Sequence, residues 1–238
     1  LPQYSPRGVH GQTVEALALR ILSGNLPEGS ILDLPALRRE LDVSLTALRE
    51  ALKVLTAKGL IDARQKRGTF VQPRTSWNML DRDVMRWQAS VSDDPDLLTD
   101  LAEVRAVVEP VAAAVAAQRA TQSDLDALGD ALRRMAEAQT NAEGMVAADL
   151  DFHRLLLAAT HNRFLEQIAL VIAIGLAERD ELVHQADPVD DPLPSHREVF
   201  DAITGRDPVR AERAMRALVD KATEDLSRLK RQGDSSVR

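Results

Sequence analysis

The sequence predicts a mainly α protein in two parts: a small N-terminal unit of three helices and a β-hairpin, then an all-α antiparallel helix bundle. Three observations carry that expectation. Apolar residues recur at helical spacing along most of the 238 residues, and the two short runs that read as strands both lie before residue 75. Charge divides at the same place: residues 1–75 hold 11 basic and 7 acidic side chains, whereas the remainder holds 19 and 30. From residue 95 onward, prolines punctuate the helical patterns at Pro95, Pro188, Pro192, Pro194 and Pro208. The expected organisation is 1–75 for the first unit, 76–94 for a linker with a short helix, and 95–232 for the bundle.

In order along the chain, Leu17, Ile21 and Leu22 mark a first helix, broken by Gly24 to Gly29. Leu34, Leu37 and Leu41 mark a short second one. Ser44 offers a hydroxyl cap to a third helix, Leu45 to Lys58, whose core face is Leu48, Leu52 and Leu55, and Gly59 closes it. Leu60 to Ala63 and Thr69 to Val71 form the strands around Lys66-Arg67-Gly68. Three helices and a hairpin in about 60 residues are the layout of a winged helix-turn-helix. Trp77 to Trp87 reads as a connecting helix, with the two indoles expected between domains. Further helices are expected at 122–139, 143–160, 164–184, 195–204 and 208–230.

On the third helix, Thr46, Arg49 and Lys53 point away from the leucine face. An arginine there can fork onto guanine O6 and N7, while Thr and Lys suit phosphates or base edges. Ser44 sits where free backbone N–H groups favour a phosphate. The hairpin tip puts Lys66 and Arg67 beside Gly68, a basic turn able to lie along a groove. A positive head on an acidic body fits double-stranded DNA as a partner. The bland alternative is a solvated helix face and a basic turn.

The chain has no cysteine, which excludes disulfides, Cys-ligated metals and thiol catalysis. Its longest apolar run, Ile168 to Ala177, is too short for a bilayer, so no membrane is expected as a partner and a cytoplasmic setting is.

In the bundle, Val146, Leu150 and Leu157 define one buried stripe. His153 falls on its centre, Asp149 on its flank one turn earlier, and Asp151 on the solvent side. His196 shares a stripe with Val199, Phe200 and Ile203, and Arg105 lies beside Leu101 and Val108. Four ionisable groups thus aim into an aliphatic interior, where they need partners. Those partners are a divalent metal on Asp149, His153 and His196, an organic anion clamped by Arg105, or simply each other as an Asp–His pair.

Val43-Ser44-Leu45-Thr46-Ala47-Leu48-Arg49-Glu50-Ala51-Leu52, then Lys58-Gly59-Leu60-Ile61 and Arg67-Gly68-Thr69-Phe70-Val71, resemble the GntR family of bacterial transcription regulators over residues 12–74. The family usually carries a DNA-contacting Arg after the Ser, where this chain has Leu45, which can instead meet a thymine methyl. Glu103-Val104-Arg105 through Glu109-Pro110, Asp149 to His153, Asn162, and His196 through Ile203 resemble the ligand-binding domain of the FadR subfamily over roughly 95–230. That resemblance implies a divalent metal, zinc or similar, on Asp149, His153 and His196, with a small carboxylate beside it near Arg105. It also implies a final His where this chain has Leu218, and His184 is a substitute. Trp77 to Val84, Trp87 and Arg119-Ala120-Thr121 resemble the galactonate-utilisation branch, whose members respond to sugar acids such as aldonates.

The expected function is therefore a homodimeric, non-enzymatic transcription regulator, a repressor, released from its operator by a small acid. Two rivals stand beside it: a helical metallohydrolase using Asp149, His153 and His196, and a DNA-binding protein that answers to no ligand.

Overall fold

A computed structural model describes residues 8–91, 95–138, 141–173 and 191–236. The chain divides into two compact units at Asp93/Asp94. In the first, α1 (Val9–Leu22), α2 (Leu34–Glu40) and α3 (Leu45–Ala57) precede β1 (Ile61–Arg64) and β2 (Gly68–Val71). A 3-10 turn (Arg74–Ser76) and α4 (Arg82–Val91) complete it. The strands pair antiparallel, Ile61 with Val71 and Arg64 with Gly68. The segment before α2 adds a third edge, with the Leu32 N–H donating to the Thr69 carbonyl at 2.9 Å. The winged helix-turn-helix expectation holds.

Caps explain where the helices begin. The Asp33 carboxylate accepts the Ala36 N–H at 3.0 Å, and the Ser44 hydroxyl accepts the Ala47 N–H at 3.1 Å. Leu48, Ala51, Leu52 and Leu55 of α3 then close on Val14, Leu17 and Ile21 of α1 in one apolar core.

The stretch expected as a linker is built into this unit. Trp77, Val84 and Trp87 join the core of α1 and α3, so both indoles, expected between domains, belong to the core of the first unit. The reason is electrostatic as well as apolar. Lys58, at the end of α3, is buried, and its ammonium donates to Asp81 at 2.6 Å and Asp83 at 2.8 Å. Those carboxylates sit just before and within α4, and they bring its apolar face with them.

The second unit is all helical where described: α5 (Pro95–Arg119), α6 (Gln122–Glu137), α7 (Ala142–Ala158), α8 (163–173), α9 (Leu193–Thr204) and α10 (Pro208–Ser236). Thr121 and Asp124 form a reciprocal capping box at the start of α6. Ala112, Ala113, Ala116 and Ala117 of α5 are buried in a core that also holds Leu128, Phe152, Leu156, Val199 and Met215. Small side chains there let helices approach closely. Pro110 is buried inside α5, which runs through it as one helix.

The outward side of α5 is apolar as well. Arg105, Glu109, Ala112 and Ala116 face the core, while Val104, Val107 and Val111 are exposed at 41%, 72% and 53%. The helix is apolar on both sides, so periodicity could not say which side is inside. Among the described residues, no helix is long and apolar enough to cross a membrane.

Candidate functional site

In the first unit, Ser44, Thr46, Arg49 and Lys53 are exposed on the side of α3 opposite its leucines. Lys53 pairs with Glu50 at 2.7 Å, an exposed i, i+3 contact of small energetic weight. At the wing, Lys66 holds a left-handed backbone with φ of 70° at the tip, and Gly68 a φ of 83° where β2 starts. Gly68 is thus a conformational requirement of the turn. The Arg67 guanidinium stacks 3.7 Å from the centre of the Phe70 ring, which holds it flat on the hairpin.

In the second unit, α5, α7 and α9 bring Arg105, Asp149, His153 and His196 into one buried cluster. On α7 the buried residues are Met145, Ala148, Asp149, Phe152, His153, Leu156 and Leu157, so of the expected Val146–Leu150–Leu157 line Leu157 is interior while Val146 and Leu150 are half-buried. Asp149 therefore lies within the interior stripe, not at its edge. Asp151 lies on the solvent side, as expected, and pairs there with Arg134 at 2.9 Å and Arg154 at 3.2 Å.

Sequence reasoning missed the fifth member. Glu109 lies one turn after Arg105 on α5 and is fully buried. It occupies the fork of Arg105: Nε donates to Oε1 at 2.9 Å and Nη2 to Oε2 at 3.3 Å. The expected carboxylate clamp already holds an internal carboxylate. The signal was available, because Arg and Glu at i, i+4 on a core-facing side form such a pair. Burial pushes the Glu109 carboxyl up, but Arg105 and His153 outweigh that and hold it at about 2. Burial likewise works against the Asp149 carboxylate, while His153, His196 and Arg105 draw it well below the usual range.

The nitrogen roles follow from what each atom faces. His196 Nδ1 lies 2.9 Å from the Pro192 carbonyl, which can only accept, so Nδ1 carries hydrogen. Arg105 Nη2 lies 3.3 Å from His153 Nε2 and can only donate, so that nitrogen accepts. His153 Nδ1 is 3.0 Å from Glu109 Oε2 but off the line of a hydrogen bond, and it has no aligned partner. The inner nitrogens then converge: His196 Nε2 lies 2.8 Å from Asp149 Oδ1 and 3.4 Å from His153 Nε2. Asp149 Oδ2 is buried without a hydrogen-bond partner. Asp149, His153 and His196 offer ligand atoms within 4.8 Å of one another. Phe152 walls them, edge-on to His196 at 5.0 Å.

Three acceptors meeting at one point require a cation between them, either a shared proton or a metal. The donor set of two imidazoles and a carboxylate suits a borderline divalent ion, and the outer contacts to Pro192 and Glu109 are what orient such ligands. Leu218 stands where a further His was expected and is packed in the apolar core, so it supplies no ligand. His184 lies outside the described residues.

Residues 10–71 match the bacterial regulatory proteins of the gntR family, and residues 100–221 match the FCD domain. The chain is 35% identical, over 91% of its length and 96% of the relative's, to the galactonate operon transcriptional repressor of Escherichia coli (strain K12). This protein belongs to the GntR family. A second relative, the regulator LutR of Bacillus subtilis (strain 168), is 28% identical over 87% of this chain and 96% of its own. Among solved structures, Streptococcus agalactiae GntR has a TM-score of 0.50 at 27% identity, covering 89% of this chain and 98% of that one. A Listeria monocytogenes protein, Lar, has a TM-score of 0.63 at 18% identity and shows the shared fold, covering 94% of this chain and 98% of that one. A GntR-type head and an FCD domain in one chain make this a ligand-responsive transcription regulator.

Proposed function

We propose that this GntR protein is a homodimeric cytoplasmic repressor, without enzymatic turnover, that leaves a two-fold operator when an aldonate-type sugar acid binds in its FCD domain. Asp149, His153 and His196 would hold one divalent ion, zinc or similar, beside that acid. The observation that carries the reading is the convergence of Asp149 Oδ1, His153 Nε2 and His196 Nε2, with Asp149 Oδ2 left over. Formal charge supports it. Among the described residues, Asp149 and Glu109 against Arg105 leave one negative charge in excess in a buried site with neutral imidazoles. A divalent ion reverses that to one positive charge, which a monocarboxylate then neutralises. When bound, the metal would supply a fixed positive site for carboxylate and hydroxyl oxygens. His153 would give up its hydrogen bond from Arg105 Nη2, turning that donor toward the acid. The name of the 35% identical relative supports a sugar acid and repression. Acid-bound protein would favour the arrangement that does not hold DNA, so operator and acid weaken each other's binding.

Thermal unfolding with and without metal tests this. Divalent ion at about 100 times its Kd adds about 2.7 kcal/mol, which raises Tm by about 5–10 °C in a unit of this size. Galactonate or a related aldonate should add a further rise only when metal is present, and should lower operator affinity. A second reading keeps His196 protonated on Asp149, as their 2.8 Å separation favours, with no metal. An aldonate response unchanged by chelator supports that one. No response to any acid, with constant operator affinity, returns the protein to ligand-independent binding. Ester or phosphate turnover lost on chelation would instead reveal a hydrolase.

On the DNA side, Arg49→Ala should weaken operator binding about 10- to 100-fold, as loss of a base contact does, and nonspecific binding far less. Competition titrations on operator and scrambled duplex read the difference, and equal losses would remove Arg49 from base recognition. Leu45, 42% exposed at the first turn of α3, suits a thymine methyl.

A further inference from the structure

The buried cluster of the FCD unit contains two carboxylates, and they stand in different places. Asp149 aims Oδ1 at the point where the Nε2 atoms of His153 and His196 converge, so an ion held there would meet its charge directly. Glu109 stands behind that point and is outside the set of ligand atoms that meet within 4.8 Å. Its Oε1 accepts from Arg105 Nε at 2.9 Å. Its Oε2 lies 3.3 Å from Arg105 Nη2 and 3.0 Å from Nδ1 of His153, the outer nitrogen of that ring. One carboxylate therefore touches both groups that would meet an incoming acid, the guanidinium and a ligand of the ion. Glu109 is 0% exposed, so solvent and salt screen it little. It is set on the inner side of α5 one turn after Arg105, which holds it there by two hydrogen bonds. Whatever occupies the centre, this negative charge stays beside it.

We propose that Glu109 determines the charge of the effector: it offsets one positive charge of the Arg105-and-metal site, so that the site takes a monoanionic sugar acid and refuses a dianionic one. The inference rests on the acid-and-metal reading above and deepens it by naming which acids pass. Charge matching gives the reason. In a site with little solvent, a charge that meets no partner, or meets its like, works strongly against binding, and discrimination comes as much from that penalty as from attraction. Arg105 is the one buried cation of this unit among the described residues, and Glu109 already occupies its fork. A second carboxylate on the acid would enter against Glu109. Replacing Glu109 by Gln keeps the volume and one acceptor oxygen for Arg105 but removes the charge. The site would then be one unit more positive than in wild type, and its preference would move one charge toward diacids.

Galactonate and galactarate are the matched probes, since they differ only in whether the last carbon is a hydroxymethyl group or a carboxylate. Calorimetric titration of the zinc-loaded full chain should show galactarate binding wild type about 100-fold more weakly than galactonate, or weaker still. In Glu109→Gln the ratio of the two dissociation constants should move about 100-fold toward galactarate. Release of a fluorescent operator duplex should follow the same order in both proteins. The ratio isolates charge, because partial unfolding or a looser metal weakens both acids alike. An unchanged ratio in Glu109→Gln, with galactonate still bound, overturns the role of Glu109 and leaves the sugar-acid reading intact. Binding of neither acid by wild type overturns both. If circular dichroism shows Glu109→Gln unfolded, wild type decides: a 100-fold preference for galactonate supports the proposal, and equal affinity for the two acids overturns it.

Discussion

Glu109→Ala is expected to be the most damaging single substitution in the FCD unit, lowering its stability by about 3–5 kcal/mol. The change takes two hydrogen bonds and the closest counter-charge from the Arg105 guanidinium, which is 5% exposed. Removing one partner of a buried ion pair leaves a buried charge short of its hydrogen-bonded counter-ion, and that cost exceeds the pair's net worth. His153 also loses the carboxylate that faces its Nδ1. For a unit of this size the loss is a fall in Tm of about 10 °C, read by far-UV circular dichroism. Arg105→Ala should be costly for the mirror reason, because Glu109 is then the uncompensated charge. It is therefore an unsafe probe of acid binding. The informative variant removes both charges together: Arg105→Met with Glu109→Leu should recover most of the stability while abolishing the aldonate response. A double variant as unstable as Glu109→Ala would show that packing, and not charge, made the single change costly.

Gly59→Ala should damage the DNA-binding unit on a comparable scale. Gly59 has φ of 78°, and a Cβ there would stand 2.2 Å from the Ser76 carbonyl oxygen. The left-handed backbone alone costs about 1–2 kcal/mol for an alanine. The contact adds more, since the atom in the way is backbone of the turn that sets Trp77 into the core. A total of about 3 kcal/mol or more is expected, with operator binding falling as the folded fraction falls. Both tryptophans of the chain, Trp77 and Trp87, lie in this unit's core, so indole fluorescence follows its unfolding selectively. Gly24→Ala is the control. Gly24 has φ of 77° but nothing within 4 Å of the added carbon, so it bears the backbone cost alone. Equal losses in the two variants would show that the Ser76 turn yields freely.

Most of the first unit was legible in the chain. Ser44 before Leu48, Leu52 and Leu55 states a capped amphipathic helix locally, and Lys66-Arg67-Gly68 states a tight basic turn. Such features depend on neighbours in sequence. The boundary of that unit was less legible. Trp77 and Trp87 follow a proline-containing stretch and look detached, and only the buried Lys58 reaching Asp81 and Asp83 reveals that α4 belongs with α3. Nothing in local periodicity encodes a contact across 23 residues.

In the FCD unit, the i, i+4 spacing of Asp149 and His153 and the apolar neighbours of His196 announced inward polar groups before any fold was known. The partner of Arg105 was not announced, because α5 is aliphatic on both faces and its orientation is undetermined by its own pattern. By itself the sequence determined which segments are helical, which side chains face inward on amphipathic helices, and which family the chain resembles. The tertiary structure alone decided that Glu109 holds Arg105, that two imidazoles and a carboxylate meet at one point, and which side of α5 is left outside. Helix formation is governed by neighbours within a turn or two, whereas charge pairing and burial depend on which distant helices arrive alongside.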